Sequence, residues 1–211
     1  MSNEDRLRDE LVVLGRSLYD RGLAHGSAGN LSVKLSDGWL MSPTNSCLGR
    51  LDPARLSRLD AQGRLVDGDA PSKETFLHLA MYGERATCGA VVHLHSVHAV
   101  AVSCLDGLDP QDAFPPITAY AVMQVGQLAL VPYFPPGDPA LAEAVRSVAS
   151  KHHSILLANH GPVVAGSSLS AAVGAMEELE QTARLVLLLD GHRTRLLDPA
   201  QVADLQRRFP G

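Results

Sequence analysis

Two histidines separated by a single residue, His93 and His95, lie in the stretch Val91-Val92-His93-Leu94-His95-Ser96. Two adjacent β-branched residues, bounded by glycine on one side and serine on the other, read as a short buried strand. Side chains alternate along a strand, so both imidazoles point to one face and Leu94 to the other. Imidazoles at that spacing can share one metal ion; they can equally be a hydrogen-bonded pair in or near the core. Among the nine histidines, His160 is the natural third member, because it ends a second apolar run, Ser154-Ile155-Leu156-Leu157-Ala158. Three neutral imidazoles with one coordination position left open make a catalytic divalent-metal site. Imidazole suits zinc and also nickel, cobalt or iron, so ligand type alone leaves the metal open.

Two other stretches carry chemistry. Pro71-Ser72-Lys73-Glu74-Thr75 opens a helix predicted to run to about residue 82, with Ser72 as its N-cap. Glu74 falls in the first turn, where the helix dipole favours a carboxylate, so a structural role accounts for it as well as acid–base catalysis does. The same helix start offers free N–H groups to an anion. The stretch His25-Gly26-Ser27-Ala28-Gly29-Asn30-Leu31-Ser32 is a glycine-rich turn entering a strand, either a plain turn or a place where backbone N–H groups meet a phosphate. His25 in that turn is placed to meet a substrate. His78, four residues after Glu74 on the same helix, reads as structural, and His98, His152, His153 and His192 show no partner pattern.

The elements that must position these groups alternate between helix and strand. Leu7, Leu11, Leu14 and Leu18 recur at helical spacing over about 4–21, with Gly22 at the C-cap. Strands are predicted over 31–35 and from 39, around the turn Ser36-Asp37-Gly38, and a second hairpin over 59–66. Asp52-Pro53 opens a short helix near 54–56. Ser96 caps a helix to about 104, and 107–116 is a loop. The segment 119–125 is ambiguous, 127–132 is a strand, and Asp138-Pro139 opens a helix to about 151. Ser167 or Ser168 caps the longest helix, to about 189, and Asp198-Pro199 starts a final short one. The pattern is an α/β/α layered fold around a mixed sheet.

Composition bounds the function. The chain has 211 residues and is 45% hydrophobic, enough for one domain with a substantial core. It contains no run of 18 apolar residues, and its charged start lacks an apolar signal core, so no membrane span or leader is expected. Three widely spaced cysteines form neither a disulfide framework nor a zinc ribbon, which points to a cytoplasmic setting. A net charge of −5 without any basic run argues against nucleic acid, while leaving room for a small anionic ligand.

Five motifs occur in order: Gly26-Ser27-Ala28-Gly29-Asn30-Leu31-Ser32, Ser42-Pro43-Thr44, Pro71-Ser72-Lys73-Glu74, His93-Leu94-His95 and Asn159-His160-Gly161. In this the chain resembles the class II aldolase/adducin family, which includes L-fuculose-1-phosphate aldolase and L-ribulose-5-phosphate 4-epimerase. The likeness spans nearly the whole chain and implies a single domain over 1–211, a three-layer α/β/α fold with a largely antiparallel central sheet. It implies that His93, His95 and His160 hold one divalent ion per chain, zinc by preference. Glu74 matches the family's acid/base, and Ser27, Gly29, Asn30, Thr44 and Ser72 match positions that hold the substrate phosphate. Tyr133, before Pro135-Pro136-Gly137, resembles an active-site tyrosine supplied by a neighbouring subunit, with Tyr120 as its rival. The family's fourfold tetramer, with sites between subunits, is implied as well.

Lys73 departs from the many family members that carry a second serine there. Pro-Ser-Lys-Glu, with Ile117-Thr118-Ala119-Tyr120 and Pro132-Tyr133, resembles the branch acting on 3-oxo-tetronate 4-phosphates. Membership implies a metal-dependent carboxy-lyase that yields dihydroxyacetone phosphate and carbon dioxide through a metal-stabilised enediolate; Lys73 either replaces a serine contact to the phosphate with a cation or meets a substrate carboxylate. The alternatives are an aldolase cleaving a ketose phosphate such as L-fuculose 1-phosphate, an adducin-like binding module and an epimerase. The module is opposed by the full histidine set, and the epimerase by glutamate, rather than aspartate, at position 74.

Overall fold

A computed structural model of the chain describes residues 2–135 and 137–209; Pro136, in the expected Pro-Pro-Gly loop, lies outside them. Helix α1 (Asn3–Asp20) starts at a reciprocal cap between Ser2 and Asp5 and ends where Gly22 takes the left-handed conformation. Strands β1 (Asn30–Lys34), β2 (Gly38–Met41), β3 (Ser57–Asp60) and β4 (Leu65–Asp67) follow as two hairpins. Then come α2 (Thr75–Glu84), β5 (Ala90–His93), α3 (Val97–Ser103), β6 (Leu128–Val131), α4 (Ala140–Ala149), β7 (Ser154–Leu157), β8 (Gly161–Gly166), α5 (Leu169–Leu189) and α6 (Pro199–Arg208). The ambiguous segment contains a π-helical turn, Ala121–Val125. Ser168, rather than Ser167, caps α5 by accepting from the Ala171 N–H.

The eight strands form one sheet in the order β4-β3-β2-β1-β5-β8-β7-β6. Every pair is antiparallel except β6 with β7. Alternate residues enter opposite cores. Leu31, Val33, Val92, Leu156 and Val164 pack with residues of α1, α3 and α5. Val91, Ile155, Leu157, Val163 and Ala165 pack with residues of α2 and α4. The sheet thus lies between two helical layers, the mixed, largely antiparallel α/β/α arrangement expected. No helix among the described residues is long and apolar enough to cross a membrane.

Between Pro162 and Ser167 the sequence predicts no element; the structure has strand β8 there, in the sheet between β5 and β7. Proline cannot donate to a ladder; here Pro162 contributes its carbonyl, which accepts from the Leu94 N–H at 3.3 Å. Helix α2 begins at Thr75, so Ser72 is not its N-cap. Ser72 instead anchors a tight turn: its Oγ accepts from the Glu74 N–H at 3.2 Å, and its carbonyl accepts from the Thr75 N–H at 3.1 Å. Glu74 therefore sits at the helix boundary (φ −96°, ψ 14°), a bridge-region conformation frequent at active sites.

Candidate metal centre

The strand parity that sends Val91 toward α2 sends His93 the same way, and Asn30 and Ser32 on β1 share that face because Leu31 and Val33 face the other core. His93 ends β5, His95 follows two residues on, and His160 occupies the three-residue loop that turns β7 into β8. In that loop Asn159 takes a left-handed φ of 56°, and the His160 N–H returns to the Leu157 carbonyl at 3.1 Å. A short hairpin loop thus delivers the third imidazole to the two at the end of β5.

The Nε2 atoms converge. That of His95 is 3.0 Å from those of both His93 and His160. Glu74 closes the group, with Oε1 3.2 Å from His160 Nε2 and Oε2 3.4 Å from His93 Nε2. All four ligand atoms lie within 4.8 Å of one another. Nitrogens at about 2.0–2.1 Å from one tetrahedral zinc are about 3.3 Å apart, so the cluster is close to the spacing such an ion demands. His93 Nδ1 lies 2.9 Å from the Pro162 carbonyl, which can only accept, so the proton is on Nδ1 and the Nε2 lone pair faces the cluster. A backbone carbonyl orienting the far nitrogen is the usual support of a ligating histidine. The residues present therefore fit a divalent ion.

Charge agrees with geometry. Burial pushes His95 down to about 4, with the neighbouring His93 and His160 adding to the shift. Burial also lowers His93, against the opposing pull of Glu74. Both rings are thus neutral, as metal ligation requires. Burial by itself would raise Glu74, but the His160 hydrogen bond and the Asn30 amide outweigh it and hold the carboxyl well below its ordinary range.

The candidate phosphate residues lie on loops tied to this end of the sheet. Ser42 accepts from the Leu31 N–H through Oγ and donates its own N–H to the Leu31 carbonyl, both at 3.0 Å. The Thr44 N–H reaches the Ala70 carbonyl at 2.9 Å, and Pro43 bridges to Pro71. The three motifs containing Asn30, Thr44 and Ser72 are thereby joined although they are distant in sequence. Gly29 (φ +82°) lies so close to β5 that a Cβ there would stand 2.9 Å from the His93 carbonyl oxygen. Asn30 is buried and donates Nδ2–H to Glu74 Oε2 at 2.7 Å, whereas Ser27 and Lys73 are exposed. His25 is exposed. Tyr133 and Tyr120, 58% and 60% exposed, project from their own chain.

A family model described as the Class II Aldolase and Adducin N-terminal domain matches residues 9–187. The chain belongs to the class II aldolase/adducin family. It is 50% identical over 206 residues to a protein of Pectobacterium atrosepticum named 3-oxo-tetronate 4-phosphate decarboxylase, covering 97% of this chain and 94% of that one. A Methanococcus maripaludis protein named L-fuculose phosphate aldolase is more distant, at 34% identity over 181 residues, covering 86% of this chain and 96% of that one. The crystal structure of YgbL from Escherichia coli superposes with a TM-score of 0.95 at 47% identity, covering 97% of this chain and 100% of that one.

Sequence reasoning identified the histidines and Glu74 but not the supports behind them. The Pro162 carbonyl escaped because the groups it serves, His93 Nδ1 and the Leu94 N–H, are distant in sequence. The contact of His78 with Asn30 escaped because His78 was read against its own helix and not against the strand it meets.

Proposed function

We propose that this protein is a metal-dependent carboxy-lyase converting 3-oxo-tetronate 4-phosphate to dihydroxyacetone phosphate and carbon dioxide. The observation that carries the reading is the identity of about half the residues, over nearly the whole chain, to proteins named for that activity. The convergence of His93, His95, His160 and Glu74 supports it chemically, and it disfavours a non-catalytic module, which has no use for such a cluster.

The substrate is a β-keto acid. Breaking its C1–C2 bond releases carbon dioxide and leaves an electron pair that passes into the C3 carbonyl. A divalent ion, zinc by preference, held by His93, His95 and His160 supplies a Lewis acid for that charge. Glu74 sits beside the same nitrogens and relays a proton from water to C2, completing the product. Asn30 holds Glu74 in place from behind. Ser27, Gly29, Asn30, Thr44 and Ser72 bind the phosphate, and Lys73 adds a point charge to it. Pairing Lys73 with the carboxylate instead would stabilise the ground state and slow loss of carbon dioxide.

Tyr133, with Tyr120 as the alternative, reaches the site of a neighbouring subunit in a homotetramer of single-domain chains. The three free cysteines fit a cytoplasmic enzyme.

The test supplies 3-oxo-tetronate 4-phosphate and, in parallel, L-fuculose 1-phosphate to the metal-loaded enzyme. Dihydroxyacetone phosphate with carbon dioxide from the first substrate is expected. Dihydroxyacetone phosphate with an aldehyde, from the second substrate only, would make the chain an aldolase instead.

A further inference from the structure

Behind Glu74 and Asn30 lie three buried polar groups, Ser32, His78 and Tyr82, that the reaction as described does not use. Glu74, His78 and Tyr82 recur every four residues at the start and along one face of α2. Asn30 and Ser32 recur every two residues on the face of β1 turned toward that helix. The two series interdigitate. Asn30 Nδ2 donates to Glu74 Oε2 at 2.7 Å, and Asn30 Oδ1 meets His78 Nε2. His78 Nδ1 is 2.7 Å from Ser32 Oγ, which is 2.9 Å from Tyr82 Oη. Asn30, Ser32, His78 and Tyr82 are 4%, 1%, 1% and 6% exposed, so the protein itself must satisfy these groups.

The direction of every bond follows from one end. An ionised carboxylate only accepts, so Asn30 must turn its NH₂ to Glu74 and its carbonyl to His78. His78 Nε2 therefore carries the proton. Burial lowers His78 to about 3, so the ring is neutral and Nδ1 accepts. Ser32 donates to Nδ1, which leaves its oxygen to accept from the Tyr82 hydroxyl.

The geometry points to a one-way hydrogen-bond chain, Tyr82 to Ser32 to His78 to Asn30 to Glu74, in which His78 is a positioning residue for the carboxylate. It rests on the proposed role of Glu74 and adds what holds that group in register. A histidine that merely filled space would tolerate either tautomer. Here the wrong tautomer would put two acceptors together at Asn30 and favour a flip of its amide, bringing its carbonyl against Glu74. The chain also leaves the second Asn30 Nδ2–H for the substrate.

Two measurements on the metal-loaded enzyme test this. With ¹⁵N-labelled histidine, two-bond ¹H–¹⁵N correlations at pH 7 should show His78 protonated on Nε2 only, its signals assigned by their loss in His78→Gln. A proton on Nδ1, alone or in an imidazolium, overturns the proposal, whatever the role of Glu74 in catalysis. In turnover, His78→Gln, which keeps a donor for Asn30, should remain within about 3-fold of wild-type kcat. His78→Leu should lose about 30-fold or more in kcat, with KM and metal content within about 3-fold of wild type. A folded, metal-loaded His78→Leu with wild-type kcat overturns the positioning role. If that variant does not fold, the tautomer decides.

Discussion

Asn30 on β1 and His93 on β5 are cross-strand partners, directly opposite each other in adjacent antiparallel strands. The register that builds the sheet therefore also sets a candidate metal ligand beside the residue that holds Glu74. A one-residue slip of β1 would turn Asn30 and Ser32 into the opposite core and leave Leu31 facing the site. Most of the site hangs on this pairing.

The proposed metal ligands can be tested without substrate. Wild-type protein should carry about one divalent ion per chain, since three imidazoles leave one position for substrate. His93→Ala and His160→Ala should each hold about a tenth of that or less after dialysis, by elemental analysis. Full occupancy in both variants would remove these histidines from the metal site.

Glu74→Gln keeps the shape of the side chain but cannot carry a proton. The expected outcome is a fall of about 10²–10⁴ in kcat with the metal retained. Steady-state kinetics beside a metal assay checks it, and near-normal kcat would reduce Glu74 to a structural residue at the start of α2.

Gly161 lies where two ligand-bearing segments touch. Its φ is +151°, and a Cβ there would stand 2.5 Å from the Leu94 carbonyl oxygen, between His93 and His95. Neither partner is a flexible side chain, so the backbone itself must move. Gly161→Ala should cost about 2 kcal/mol or more of stability and weaken metal binding, because His160 is displaced with its neighbour. Denaturant melts and a metal titration would show both effects; an unaltered pair of values would contradict the packing argument.

His78 makes stability depend on pH in a defined direction. Its pKa is about 3 when folded, against an ordinary 6.5. Between these values the unfolded chain binds a proton that the native state refuses, so stability is lost as pH falls from about 6.5 toward 3. One such group contributes a slope of about 1.4 kcal/mol per pH unit. In metal-free protein, His78→Gln should show a shallower loss of stability between about pH 6 and 4 than wild type, by up to one proton. Parallel slopes would mean that His78 is already charged or exposed in the native state.

Much of the fold was legible locally. Helix α1 announced itself by leucines at helical spacing, and α5 and α6 by a serine or aspartate cap ahead of an apolar face. Hairpins β1–β2 and β3–β4 were marked by short polar turns. Strand β8 was not legible, because Pro162 is tolerated there only through its carbonyl, and the groups that use that carbonyl, Leu94 N–H and His93 Nδ1, lie some seventy positions earlier in the chain. The start of α2 was misplaced for a related reason: Ser72 has the composition of a cap, but its hydroxyl and carbonyl hold the turn that presents Glu74.

The sequence by itself determined which side chains can do chemistry here: the alternation of His93 and His95, the lone histidine after an apolar strand, the carboxylate at a helix start and the glycine-rich turn. These are consequences of strand and helix periodicity, which act over a few residues. Only the tertiary structure decided that the four groups meet, that the three loops around Asn30, Thr44 and Ser72 are laced together, and which tautomer His78 adopts. Those outcomes depend on strand order and register, in which partners as distant in sequence as Glu74 and His160 are brought within hydrogen-bond distance, and on burial, which leaves each polar group only its protein partners to satisfy it.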